Sequence, residues 1–253
     1  MPRRNYFKLG AAFYWAGYPE QALPYLEEVV RQAPGNDKAL NAIGQIHLDA
    51  GRLPQARSFL ERAVAANPRL GEAWNNLGGV ESGAGNLPTA LKHYQRAAEL
   101  LPKSAYPLVN AGEVQAQMGD AAAAGKLFRR AMEVDPKDPE APNQLGLLAG
   151  REHRNSEARE WFQRAITLQG DHAGAINNLG VLYVQMGQAN DAIAAFEYGI
   201  RMAPRDELMY MNLGRVYVTQ GDRAKAREVM LRLLQQQPDS VAAAKALREL
   251  EAR

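Results

Sequence analysis

The sequence predicts an all-α fold built from tandem antiparallel helix pairs, and three observations predict it. Residues recur with a period of 34: glycine stands at 10, 44, 78, 112, 146, 180 and 214, and alanine at 22, 56, 90, 124, 158, 192 and 226. Proline closes the period at 34, 68, 102, 136, 204 and 238, with Gly170 at the one remaining place. Within each period the apolar residues follow a helical spacing twice, with a breaker between the two runs.

The units are 3–36, 37–70, 71–104, 105–138, 139–172, 173–206 and 207–240, with a last segment at 241–253. In the third, Trp74, Leu77, Gly78 and Glu81 lie at i, i+3, i+4 and i+7, one face of a first helix. Gly85 and Asn86 break it, and a glycine recurs there at 17, 51, 85, 119, 187 and 221, with His153 at the remaining place. Pro88 suits the first turn of a second helix, whose inner stripe is Ala90, Tyr94, Ala97 and Leu101. Pro102 ends it. The small residues at Gly78 and Ala90 let the two helices approach closely. A pair this short cannot bury its apolar face alone, so neighbouring units must stack. The fifth unit departs most: Pro142 stands where a large residue belongs and Ala149 where an aromatic does, which predicts a local loosening or kink. After Ser240, a good N-cap, Val241, Ala244, Leu247 and Leu250 share one helical face, with Lys245, Arg248, Glu249 and Arg253 on the other.

This pattern resembles the tetratricopeptide repeat (TPR), W-x2-L-G-x2-Y followed by G, A, F/Y, A and P. The seventh unit carries it as Tyr210, Leu213, Gly214, Tyr217, Gly221, Ala226, Met230 and Pro238. The resemblance covers nearly the whole chain. It implies a single right-handed α-solenoid, a superhelix of helix pairs whose first helices line a concave groove. The 241–253 segment is similar to the solvating helix that closes such arrays.

Composition narrows the function classes. Thirty basic and 28 acidic residues give a formal net charge of +2, too balanced to point to nucleic acid or an anionic membrane. The absence of cysteine excludes disulfides, thiolate metal sites and a cysteine nucleophile. The N-terminal stretch has no sustained apolar core of a signal peptide, and nowhere do eighteen apolar residues run together, so a cytoplasmic protein without membrane insertion is expected. The richness in Ala, Arg, Gly and Gln fits a bacterial source.

Catalytic and cofactor signatures are missing. GDAAAAGKL at 119–127 lacks the four-residue glycine spacing, the Ser or Thr after lysine, and the preceding strand of a phosphate loop. His47, His93, His153 and His172 fall at four different places in the repeat and make no metal pair. His47 replaces the usual tyrosine and is expected to pack in the core. No catalytic residue, metal or cofactor is predicted, and the chain is read as a non-enzyme.

The resemblance directs attention to places 2, 5, 6, 9, 12 and 13 of each unit, counting from residue 3, because these share the groove side of the first helix. Place 5 holds Phe7, Asn41, Asn75, Val109, Asn143, Asn177 and Met211; place 6 holds Lys8, Ala42, Asn76, Asn110, Gln144, Asn178 and Asn212. Each interior asparagine costs about 0.6 kcal/mol relative to alanine, so the eight together cost about 5 kcal/mol. A primary amide offers two N–H donors and an acceptor, matching a peptide group, so Asn41, Asn75, Asn76, Asn110, Asn143, Gln144, Asn177, Asn178 and Asn212 form a candidate ladder for the backbone of an extended peptide. The same inventory allows a structural row in which the amides bond one another. On the peptide reading, replacing Asn76, Asn110, Asn178 and Asn212 by alanine weakens binding while keeping or raising the melting temperature. Place 5 is never lysine and place 9 never asparagine, which disfavours the carboxylate clamp of some TPR domains. Arg4, Lys38, Asp49, Glu72, Tyr106, Glu140, Arg151, Gln185 and Leu208 fill other groove places. Phe7, Tyr14 and Trp15 fall on the groove side of the first unit, either as an aromatic pocket or as a surface for self-association into a homo-oligomer. The implied partner is a protein or extended peptide. The alternatives are an assembly module and the recruiting part of an enzyme complex.

Overall fold

The computed structural model describes residues 5–251; Arg4 and Arg253 lie outside them. Among the described residues there are fifteen α-helices and no strand, in two compact units divided between Pro136 and Lys137. The first unit contains α1 (Tyr6–Trp15), α2 (Pro19–Gln32), α3 (Asp37–Asp49), α4 (Leu53–Ala66), α5 (Gly71–Gly83), α6 (Leu87–Leu100), α7 (Tyr106–Gln117) and α8 (Ala121–Val134). The second contains α9 (Glu140–Arg151), α10 (Asn155–Leu168), α11 (Ala173–Gln185), α12 (Ala189–Met202), α13 (Glu207–Thr219), α14 (Arg223–Gln236) and α15 (Val241–Glu251).

The glycine series acts where the helices of a pair cross. A Cβ built on Gly112 meets Phe128 Cε1 at 2.4 Å, and one on Gly78, Gly146 or Gly180 meets Tyr94, Phe162 or Phe196 at 2.5 Å. Each of these rings stands sixteen residues after its glycine and fills the space that a side chain would need. The alanine series is fully buried throughout, at Ala22, Ala56, Ala90, Ala124, Ala158, Ala192 and Ala226.

The core lies between successive pairs. In the first unit Ala22 and Leu26 of α2 pack on Ile43 and Ile46 of α3, Ala56 and Leu60 of α4 on Leu77 and Val80 of α5, and Ala90 and Tyr94 of α6 on Ala111 and Val114 of α7. In the second, Ala158 and Phe162 of α10 pack on Leu179 and Leu182 of α11. A further cluster runs from Phe196 of α12 through Leu213 of α13 and Leu233 of α14 to Ala243 of α15. Burial of each large side chain contributes about 1.5–3 kcal/mol, and most of that is lost if a neighbour is removed.

Two features depart from expectation. Pro142 breaks no helical hydrogen bond, because it sits in the first turn of α9, where the amide it lacks has no intrahelical partner. The inner stripe of α15 is Ala243, Ala246, Leu247 and Leu250, whereas Val241 is 77% exposed at the helix start. Ser240 does cap α15, its Oγ accepting from the Ala243 N–H at 3.1 Å.

The turn within each pair has one geometry. In the third, the Gly85 N–H donates to Ser82 and the Asn86 N–H to Glu81; in the fifth, the His153 N–H donates to Gly150 and the Arg154 N–H to Ala149. This is the Schellman closure, which needs positive φ at the residue after the C-cap. Six of these residues are glycines with φ between 70° and 87°, and the remaining one is His153 at 58°.

Candidate functional site

The asparagines meet one another across repeats. In the first unit Asn76 Nδ2 donates to Asn41 Oδ1 at 3.0 Å and Asn110 Nδ2 to Asn75 Oδ1 at 2.9 Å. In the second, Asn178 donates to Asn143 at 3.0 Å and Asn212 to Asn177 at 2.7 Å. In each rung a place-6 amide donates to the place-5 oxygen of the preceding repeat, 35 residues earlier. The spacing of one period plus one follows from the helix: places 5 and 6 flank the line along which adjacent first helices touch. Val109, last of the place-5 series in the first unit, has no amide to offer. Gln144, first of the place-6 series in the second unit, bonds Glu140 within its own helix at 2.9 Å.

Burial separates the amides into two groups. Asn75, Asn76 and Asn143 are at most 8% exposed, whereas Asn41, Asn110, Gln144, Asn177, Asn178 and Asn212 are half-buried. The expectation that alanine at place 6 keeps or raises stability is therefore revised. Removing Asn178 strips the buried Asn143 oxygen of its donor, and leaving a buried acceptor unpaired costs about 1–3 kcal/mol, more than the helix-propensity gain.

Glu140 anchors the rung below it. Its carboxylate accepts from Asn143 at 3.1 Å and Gln144 at 2.9 Å, and lies 3.2 Å from His172 Nε2. His172 also caps α11, its Nδ1 accepting from the Ala175 N–H at 3.0 Å. The neutral imidazole with Nε2–H satisfies both contacts. The hydrogen bond from His172, with those from the two amides, holds Glu140 below the usual carboxylate range against the opposing effect of burial. Glu140 draws His172 upward in turn, while the Ala175 N–H aimed at Nδ1 resists a second proton.

The aromatic residues of the first repeat do not form one pocket. Phe7 and Tyr14 pack against the core cluster of α2 and α3, and the Tyr14 hydroxyl donates to Asp49 at 3.0 Å. Burial and this carboxylate push Tyr14 up to about 12. Trp15 alone projects, 83% exposed, with its ring edge on Tyr14. His47, expected to pack in the core, is half-buried at its edge, stacked on Phe59 and accepting from Arg52 Nε at 2.8 Å.

Sequence reasoning put Glu81 on the inner face of its helix but left the partner of its buried charge open. Glu81 occupies the tyrosine place of the third repeat, is 3% exposed, and pairs with Arg57 of α4 and Asn86 Nδ2. Burial raises its pKa, but the Asn86 and Arg57 hydrogen bonds outweigh it and keep the carboxyl ionised. Among the described residues no group of three His, Asp or Glu side chains is placed to hold a metal ion, and no helix is long and apolar enough to cross a membrane.

The family described as the cilia and flagella-associated protein 70 C-terminal domain, a TPR domain, matches residues 7–250. The chain belongs to this tetratricopeptide-repeat family. Solved structures agree on the fold. A TPR protein from Parabacteroides merdae is similar at a TM-score of 0.70 and 18% identity, covering 97% of each chain. The APC/C hetero-tetramer Cut9–Hcn1 gives 0.73 and 21%, covering 95% of this chain and 48% of the other, so this chain spans about half that neighbour's length. PilF of Pseudomonas aeruginosa gives 0.64 and 19%, covering 85% and 96%. Among curated proteins no relative matches. TPR folds generally mediate protein–protein interaction and are generally non-catalytic scaffolds.

On the TPR frame the first-helix places of the second unit are more apolar than the asparagine track suggests. Val184 and Val218, both place 12, are 47% and 49% exposed, and Leu208 at place 2 is 53% exposed. Arg215 stands between them at place 9, also exposed.

Proposed function

We propose that this TPR chain is a non-enzymatic adaptor that holds an extended segment of a partner protein along its first-helix face, with the half-buried amides of Asn110, Asn178 and Asn212 as the main backbone contacts. The observation that carries this reading is the cross-repeat bonding. Each of these amides spends one N–H on its neighbour, which by donor inventory leaves a second N–H and the oxygen for a peptide group. Asn41, Asn75, Asn143 and Asn177 then support the rungs as acceptors, Asn76 is the buried donor to Asn41, and Gln144 sits beside them on Glu140. On this reading each unit presents its own rungs, and the partner is a protein rather than nucleic acid. The test is affinity for a displayed random-peptide pool, compared between the wild type and Asn178→Ala/Asn212→Ala, at a temperature where circular dichroism shows both fully folded. Unchanged retention of the pool by the variant overturns the ladder as a ligand site.

A second reading, self-association through the first repeat, rests on Trp15, whose indole is 83% exposed. Sedimentation velocity on wild type and Trp15→Ser decides it: a monomer in both eliminates this reading.

A further inference from the structure

Two clefts open on neighbouring first helices of the second unit. The smaller, about 330 Å³, lies between α11 and α13 and is floored by Val181, Val184 and Phe196. The larger, about 820 Å³, lies between α13 and α15 and is floored by Met211, Val218 and Met230. The larger falls within the usual size range of a ligand pocket. Arg215 and Thr219 line both, on the ridge of α13 that separates them.

The charges of these clefts are uneven. The smaller contains Arg215 and no carboxylate. In the larger, the Arg223 guanidinium donates to the Leu250 carbonyl, and the one carboxylate, Glu249, lies 4.0 Å from Lys245. Arg215 is the one charged residue that lines both clefts, on a fork suited to a carboxylate.

The general spacing of packed helices suits one form of ligand. Val184 and Val218 are the same place on adjacent first helices, and packed helices stand about 8–10 Å apart. A β-strand repeats its face every two residues, about 6.6 Å, which is too short. A polyproline II segment repeats every three residues, about 9.3 Å, which matches. Such a segment is already extended and loses little entropy on binding.

We propose that the α11–α13–α15 face of the second unit selects a polyproline II segment with apolar side chains three residues apart, one in each cleft, and an acidic residue between them on Arg215. This rests on the reading of the chain as a peptide-binding array and assigns the peptide's chemistry.

Random dodecapeptides are displayed and selected on the 253-residue chain and on its Arg215→Glu variant. Arg215 is exposed, so circular dichroism should show the variant folded. The wild type is expected to enrich sequences with Asp or Glu flanked by apolar residues three apart, and the variant to lose them and favour Lys or Arg there. A synthetic proline-rich peptide with a Leu-Pro-Glu-Leu core should bind the wild type at least tenfold more tightly than its Glu-to-Lys counterpart, and the order should reverse on the variant. Enriched peptides without the acidic residue, or identical selection on both proteins, overturn the proposal. If those peptides still require Asn178 and Asn212, the ladder reading stands and only this inference falls. If no peptide is enriched at all, both fall.

Discussion

His153 is the place where this array is most easily improved. It holds φ at 58° in a turn whose six counterparts are glycines between 70° and 87°. A non-glycine residue in this region carries about 1–2 kcal/mol of steric cost. Glycine relieves it but adds about 0.5–1 kcal/mol of chain entropy to be lost on folding. His153→Gly is therefore expected to stabilise the second unit by about 0.5–1 kcal/mol, the difference of those two effects. The Schellman bonds are kept, since the His153 and Arg154 backbone N–H groups already reach Gly150 and Ala149 at 3.1 and 2.9 Å. Urea unfolding followed by Trp161 fluorescence in a Trp15→Phe/Trp74→Phe background reads α10, the helix that begins two residues after His153. At about 2 kcal/mol per molar, the gain moves the midpoint up by about 0.25–0.5 M. His153→Asn, tolerant of positive φ, should fall between wild type and glycine, and His153→Ala should not exceed wild type. If alanine stabilises as much as glycine, or glycine gives no gain, then φ strain is not what distinguishes this turn.

Gly112→Ala should destabilise the first unit by about 1–3 kcal/mol, read by thermal melting, because its Cβ meets the buried Phe128 ring at 2.4 Å and that ring has no room to move. In the ladder, a double-mutant cycle on Asn143 and Asn178 should return a coupling of about 0.5–1.5 kcal/mol in urea unfolding; zero coupling would mean that the rung is not formed in solution. The bidentate pair of Arg232 with Glu197, at 2.7 and 3.0 Å, ties α14 to α12, and the hydrogen bonds from Arg232 lower the Glu197 pKa. A lowered folded pKa gives stability that is present above the unfolded value and lost as pH falls through the folded one. Glu197→Gln should therefore flatten the decline in stability below about pH 4.5, measured as urea midpoints from pH 7 to pH 3.

What was legible in the sequence is what depends on the period. Gly78, Ala90 and their equivalents sit where two helices cross, a geometric demand that returns every 34 residues and is met by one residue type each time. His153 was visible as an exception to the same rule. The partners of the asparagines were not fixed, because an amide's inventory is the same whether it faces a peptide or another amide. Which hydrogen goes where depends on how closely neighbouring first helices lie. The partner of Glu81 was hidden for a related reason: Glu81 falls on the inner helical face by its spacing, but the residue that neutralises it, Arg57, belongs to the preceding pair, and no periodic signal links them. The expectation at Pro142 assumed a proline inside the helix, whereas the start of α9 falls just far enough upstream to leave it in the first turn.

The two roles first set against each other for the asparagines, holding a ligand and holding one another, are physically compatible. A solvent-facing asparagine samples several rotamers, and fixing such a side chain on binding costs about 0.5–1.5 kcal/mol. An amide already held through one N–H by the neighbouring repeat has lost that freedom in the folded state, so its second N–H meets a ligand without the same loss. The half-buried donors Asn110, Asn178 and Asn212 fit this arrangement, and the acceptors behind two of them, Asn75 and Asn143, are buried. On the proposed reading, a rung would both stabilise the repeat stack and orient the group that a peptide uses. It follows that disrupting the acceptor at place 5 should weaken peptide capture even though that residue need not touch the peptide, whereas a ladder serving stability alone would show no such coupling.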